Sequence, residues 1–549
     1  MLPAFYFLLI AVCILPTLPG LLGVVITALG YMPPLGLTQF SFNGFSQVLQ
    51  WQGVEHSIAL TFYTTAASCF LAGLFTFAII QTCWGTRLWQ RIESALSPLL
   101  AIPHVAFAIG FAFLFAPTGM GVRLLYSVLP TNLSTHAVSE TALLINDPYG
   151  LGLIVMLALK ETPFLVLMSI PVLQQLNIEQ TQKVSTSLGY NRAQTWLKCI
   201  FPQWLPKMRF PLFAIVAYGV SVVDVAQIIG PTNPPTFAVL VWQWFIDPNL
   251  QLMPRAAAGA IMLFVIGTIL LGVTVAIEWL LTQHFKQWQW SGRYGFALPG
   301  KSLFTLLLAL TALIIPILSL WSVALRWRFP DVLPSRYSLR FWQLEWSHIL
   351  STINISAVIA LISASLGLCF AIVAHEYRIK HKWHIPHYII AIPMLIPQLS
   401  LLFGLQVLTL FSSLNTYLLW VCWAHLFFVF PYVYLALDGP YRSYDQRLTQ
   451  IGLSLGKTPF QVWLKIKLPQ LSSAFIFAWV IGISVSLAQY LPTLMLGAGR
   501  ISTLTTEAVT LASGSDRRVT AIYALCQALL PFGFFILARR INRRKTINV

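Results

Sequence analysis

Two acidic side chains fall where charge is costly. Glu161 follows Lys160 near the middle of the apolar stretch 149–173, and Asp224 lies within another, 210–230. An ionisable group at the centre of a bilayer costs at least roughly 2.5 kcal/mol, so it faces a partner or a cavity and marks a candidate solute pathway. Pairing of Lys160 and Glu161 with neighbours, and capping of an irregular segment by Asp224, are the structural alternatives. Other chemistry is weaker. GLSLGKT at 452–458 has three residues between its glycines where a phosphate-binding loop needs four, and no strand precedes it, so no ATP site is expected in this chain. His375, His381, His384 and His387 beside Glu376 follow no standard zinc spacing and read as a polar loop at a membrane interface. The seven cysteines, at 13, 69, 83, 199, 369, 422 and 526, read as apolar packing residues. With no nucleophile elbow, metal cluster or close pair of catalytic carboxylates, neither a catalytic residue, a metal nor a cofactor is expected.

The elements that must position Glu161 and Asp224 follow from composition. Hydrophobic residues make up 57% of the 549 and charged residues 9%, against roughly 25% charged in a soluble domain. Windows of about 19 to 25 apolar residues recur near 5–29, 57–82, 97–116, 149–173, 210–230, 256–281, 302–325, 350–374, 385–411, 416–437, 473–496 and 519–538. They predict an all-α polytopic membrane protein with about twelve transmembrane helices, since strand-length alternation is missing. The first window has no Lys or Arg before it and reads as a retained span. The net charge of +17 sits in short loops, which speaks against a nucleic-acid partner and for membrane topology. Cytoplasmic termini put 23 of the 33 Lys and Arg inside, nine outside and Lys160 in a span.

An internal repeat organises the chain. SLGYNRAQTWLKCIFPQ at 187–203 and SLGKTPFQVWLKIKLPQ at 454–470 agree at nine of seventeen positions under a constant offset of 267. The identities include Ser187/Ser454, Leu188/Leu455, Gly189/Gly456, Gln194/Gln461, Trp196/Trp463, Lys198/Lys465 and Pro202/Pro469. Gly230/Gly497 and Thr236/Thr503 extend the match beyond the following span. Residues 1–285 and 302–549 are therefore expected to be two six-span units of like orientation, joined by a cytoplasmic linker at 286–301. Such parallel repeats place a pathway at their interface, about a pseudo-twofold axis along the membrane normal. The offset partner of Asp224 is Leu491, and Gln489 is the polar residue nearest to it. Within the loops, 174–208 and 440–471, Gly precedes Pro by thirteen residues, which suits a turn, a short amphipathic helix and a Pro stop. The loops PTNPP at 231–235 and GAG at 497–499 read as connections or as outer surfaces for a delivery protein.

A glycine and a proline so spaced, in a cytoplasmic loop before the penultimate span of a six-span unit, resemble the EAA loop of ATP-binding-cassette (ABC) importer permeases. The whole chain resembles the fused permeases of binding-protein-dependent importers. The resemblance implies that Ser187, Leu188, Gly189, Trp196, Lys198 and Pro202, with Ser454, Leu455, Gly456, Trp463, Lys465 and Pro469, contact a pair of ATP-binding subunits. It also implies a homodimer of those subunits, a periplasmic or extracellular solute-binding protein, and residence in a bacterial inner membrane. The opening Glu-Ala-Ala is replaced by Lys183-Val184-Ser185 and Gln450-Ile451-Gly452, with Glu179 and Asp445 nearby. PHVAFAIGFAFLFAPTG, LKETPFLVLM and VVDVAQIIGPTNPPTFAVLVWQW are similar to segments of thiamine-type permeases, and ferric-iron permeases share the plan. An ion-coupled secondary transporter is the rival reading; it needs a relay of embedded carboxylates and no duplicated docking loop.

Overall fold

The computed structural model describes residues 2–128, 144–383, 385–410, 416–514 and 516–547. Among them the only strands are the antiparallel pair Ala324–Arg326 and Arg336–Tyr337, and the rest is helix and connecting loop. Ten helices of the described residues are long and apolar enough to cross a membrane, or eleven with one bent pair counted as a span.

The differences from twelve continuous spans lie at breaks. The window 385–411 is two helices, Tyr388–Leu395 and Gln398–Val407, bent by 93°. The window 210–230 divides into Arg209–Ser221 and Asp224–Ile229. Two further windows contain a break next to a span: Arg87–Ala101 gives way to His104–Phe115, and Leu468–Ala488 to Leu491–Leu496. Local chemistry accounts for the first and third. Ile102 and Ile396 precede Pro103 and Pro397 and are extended, at ψ 120 and 136, because a proline ring clashes with a helical residue before it. Val222 and Gln489, an offset of 267 apart, are extended in the same way, at ψ 117 and 128.

The first span of each repeat packs on the other repeat. Tyr6, Leu9 and Cys13 share a core with Phe370, Leu426 and Phe430. The Tyr6 ring stacks on Tyr377 at 3.9 Å, and Trp423 Nε1 donates to Val12 O at 3.1 Å. Glycines bring the backbones together: a Cβ on Gly404 would fall on the carbonyl of Gly20, and one on Gly23 would lie 2.8 Å from Gly404 O. In return, helix Gly300–Val323 lies against the first repeat. Phe304 and Leu307 join the core of Phe77, Ile80 and Trp196, Trp321 meets Phe113 at 5.6 Å, and Gly300 abuts the Ala78 carbonyl.

Histidine and cysteine are absorbed by this packing. His375 is buried in helix Arg340–His381, its Nε2 3.0 Å from Tyr434 O and its ring stacked on Tyr434 and Tyr441, so it belongs to no polar loop. His381 stacks on Tyr377, and His384 lies outside the described residues. All seven cysteines are free, and Cys369 departs from the expected burial by being exposed.

Candidate functional site

Each repeated loop folds into the same run of elements. In the first copy, helix Ile178–Ser187 ends before Gly189 (φ +79), and a short helix Arg192–Thr195 passes through a π-helical turn, Trp196–Ile200, into Phe201–Lys207. In the second, Gln446–Ser454 ends before Gly456 (φ +75), and Pro459–Val462 passes through Trp463–Lys467 into Leu468–Ala488. Glycine is required at both turns because a Cβ disfavours the left-handed region. The repeated glutamine has a role that the matched sequence did not disclose. Asn191 Oδ1 accepts from Gln194 N at 2.9 Å while Gln194 Oε1 accepts from Asn191 N at 2.8 Å, and Thr458 and Gln461 make the same reciprocal pair at 3.3 and 3.1 Å. The signal was present as Asn or Thr three residues before Gln, the pattern of a capping box.

Pro202 and Pro469 correct the expectation of a stop. Both lie inside a helix that runs on past them, directly after the π-helical turn, so neither ends it. The second copy is thus helical from Pro459 to Ala488.

The copies differ in what covers them. Lys198 is buried beneath the linker: its Nζ donates to Ser291 O and Gly292 O, each at 2.6 Å, and stands 4.0 Å from the Tyr294 ring centroid. Gln194 donates to Arg293 O, and Arg293 Nη2 to Leu188 O at 3.4 Å. Arg192 donates to Gln81 O and Trp84 O at 3.0 and 2.7 Å, and burial lowers its guanidinium from its ordinary value. Trp196 is wholly enclosed. In the second copy Lys465 is exposed, and the buried cation is Lys467, 2.8 Å from Glu376. Glu376 also accepts from Trp463 Nε1 at 3.0 Å and from the Tyr441 hydroxyl at 3.1 Å. Ser187, Leu188, Ser454 and Leu455 are exposed, Leu188 by 62% and Leu455 by 72%. Each helix before a glycine is therefore followed by an exposed apolar side chain.

The four breaks converge on one cavity of about 250 Å³ between the repeats. Ile102, Pro103 and His104 line it from the first break, Val222, Val223 and Asp224 from the second, Gln398 from the third, and Gln489, Tyr490 and Leu491 from the fourth. Non-helical backbone at membrane depth is tolerated only where protein or a water-filled cavity satisfies it. Glu161, Asp224 and Gln489, far apart in sequence, meet here, together with Lys160, Tyr218, Phe428 and Tyr432. Glu161 Oε1 lies 2.9 Å from His104 Nε2, and Lys160 Nζ donates to Leu99 O at 2.9 Å. Tyr490 OH reaches Gln227 Oε1 at 3.4 Å, joining the repeats. Both amide atoms of Gln489, Ser484 Oγ and Tyr218 OH are buried without a hydrogen-bond partner among the described residues. A wider cavity of about 1120 Å³ lies between Pro98, Tyr444, Phe477 and Phe535; Asp445 is its one carboxylate among the described residues, whereas Glu161 and Asp224 both line the smaller one. Among the described residues no three His, Cys, Asp or Glu gather as metal ligands. His104, Tyr218, Gln398 and Tyr490 escaped the reading of the sequence; an Ile-Pro pair followed by a polar residue, at 102–104 and 396–398, was the signal available.

Broken apolar helices thus surround a polar cavity, with two like loops beyond it. The chain belongs to the permease family of ABC transporters and is an integral protein of the inner membrane: over 97% of its length it is 31% identical to the inner membrane ABC transporter permease protein YnjC of Escherichia coli K12, of which it covers 95%. It is also 27% identical over 144 residues, a quarter of this chain and half of the relative, to the putrescine transport system permease protein PotI of the same organism. No protein-family model matches the chain.

Proposed function

We propose that this chain is the permease subunit that forms the translocation pathway of an ABC importer, in which residues 1–285 and 302–549 act as two permease units and 286–301 as their cytoplasmic link. The observation that carries the reading is the duplicated loop, alike element by element and presenting Leu188 and Leu455 at matching exposed sites. Each loop seats one subunit of an ATP-binding homodimer. Ser187, Gly189, Ser454 and Gly456 shape the seats, Trp196, Lys198, Pro202, Trp463 and Pro469 hold them to the spans, and Lys465 faces the partner. ATP binding draws the loops together and turns the cavity of Glu161, Asp224 and Gln489 toward the periplasm, where a binding protein releases its solute. Hydrolysis restores the inward-facing state, and both termini lie in the cytoplasm. Thiamine or a similar small cation is the first candidate solute, on the segments quoted above, with ferric iron or another solute behind it. Putrescine is a second reading, favoured by the likeness to PotI.

The test is gentle purification of the tagged chain from its native membrane. Recovery of one ATP-binding protein at two copies per chain, with ATPase activity raised by a binding protein, is expected. Recovery of the chain alone, with uptake driven by an ion gradient and indifferent to ATP, would overturn the reading in favour of a secondary transporter.

A further inference from the structure

We propose that Asp224 and Gln489 form the seat of the translocated solute and that this solute carries a single positive charge, balanced by Asp224. The inference rests on the reading of the chain as an importer permease and adds the charge of its cargo. Besides Asp224 and the tyrosines, the ionisable groups among the described residues that line the cavity are His104, Lys160 and Glu161. Glu161 is already engaged, with His104 at 2.9 Å and Lys160 adjacent in the chain. Asp224 is about nine-tenths buried and has no ion pair among the described residues. A buried carboxyl without a counter-ion is neutralised by a proton or by a cation, and a cationic solute takes the place of the proton while bound.

Gln489 supplies the independent observation. Only 6% exposed, it has neither its amide N–H groups nor its oxygen bonded among the described residues, an arrangement that costs free energy unless a ligand or water completes it. Tyr218 and Ser484 bring two more buried hydroxyls without partners. The rings of Tyr218, Phe428, Tyr432 and Tyr490 surround the same space, and aromatic faces attract an organic cation. The volume, about 250 Å³, is below the roughly 300–1,000 Å³ usual for ligand pockets and suits one small molecule. An anion would meet Asp224, and a dication would need a second free carboxylate, which Glu161 does not offer.

The full complex, with its ATP-binding subunits and binding protein, is reconstituted in vesicles supplied with ATP on the side of the loops. The vesicles are bathed in protein-free cell extract supplemented equally with thiamine, choline, putrescine, maltose and glutamate, and mass spectrometry identifies what ATP concentrates. The expected species bears one positive charge. Asp224→Asn and Gln489→Ala each lower its accumulation by about tenfold or more, the scale of one lost charge-assisted hydrogen bond, and Asp224→Glu restores most of it. All three variants are scored only after co-elution with the ATP-binding subunits. A neutral, anionic or doubly charged cargo overturns the proposal, as does undiminished uptake by Asp224→Asn. Failure to concentrate any species while those subunits remain bound would remove the importer reading itself.

Discussion

Gly456 stands at φ +75 with no atom within 4 Å of where a Cβ would be, so only the backbone resists a side chain there. Gly456→Val is expected to cost about 1–2 kcal/mol in the left-handed turn without a clash. Gly189→Val adds contact with Arg293 Nη1 at 3.4 Å, the end of a flexible chain. Both variants should lose co-purifying ATP-binding subunit, and undiminished recovery from the double variant would contradict the role given to the turns. Glu376→Gln tests the second loop differently. It leaves the buried Lys467 without its counter-ion and should lower stability by about 3 kcal/mol, read as a fall in the thermal midpoint of the detergent-solubilised chain. Of the cavity, Glu161 and Asp224 were legible because a charge in an apolar window is conspicuous. His104 and Gln398 were not, since each sits beside a proline in a window whose composition alone was being read, and hydropathy is blind to where a backbone turns.

At the scale of elements, the linker strapped across the first loop makes the two copies unequal. Lys198→Met removes both bonds to Ser291 and Gly292 and should speed proteolysis within 286–298, whereas Lys465→Met, which releases nothing, should leave the cleavage rate unchanged. Equal cleavage in the two variants would show that the strap is held by other contacts. The capping boxes predict parallel losses: Gln194→Ala and Gln461→Ala should each cost about 1 kcal/mol of loop stability, seen as faster amide exchange over 192–207 and 459–467. The loops were readable to the residue because their identities recur at a fixed offset. The four helix breaks were harder. Two follow Ile-Pro pairs and obey local sterics, but Val222 and Gln489 are extended with no proline immediately after them, so their conformation comes from the assembled cavity rather than from neighbours in sequence.

Across the whole molecule, the duplication was visible as repeated text, but nothing in that text told which span would lie against which. Partner choice is decided by surface shape. Gly20, Gly23 and Gly404 create a contact too close for any side chain, and glycine counts alone do not pair one helix with another. Gly404→Val should force the helix 2–28 away from 398–410 and lower the thermal midpoint, while Gly272→Val, with open space around it, should not. The exchange of first spans also orders events during synthesis. Phe370, a neighbour of Leu9, is made about 360 residues after it, a delay of about 20 to 70 s at ribosomal speeds of 5–20 residues per second. Through that interval Tyr6, Leu9 and Cys13 face lipid or a membrane chaperone. An early helix thus waits for partners made in the second repeat, and a ribosome that stalls midway leaves an open clasp.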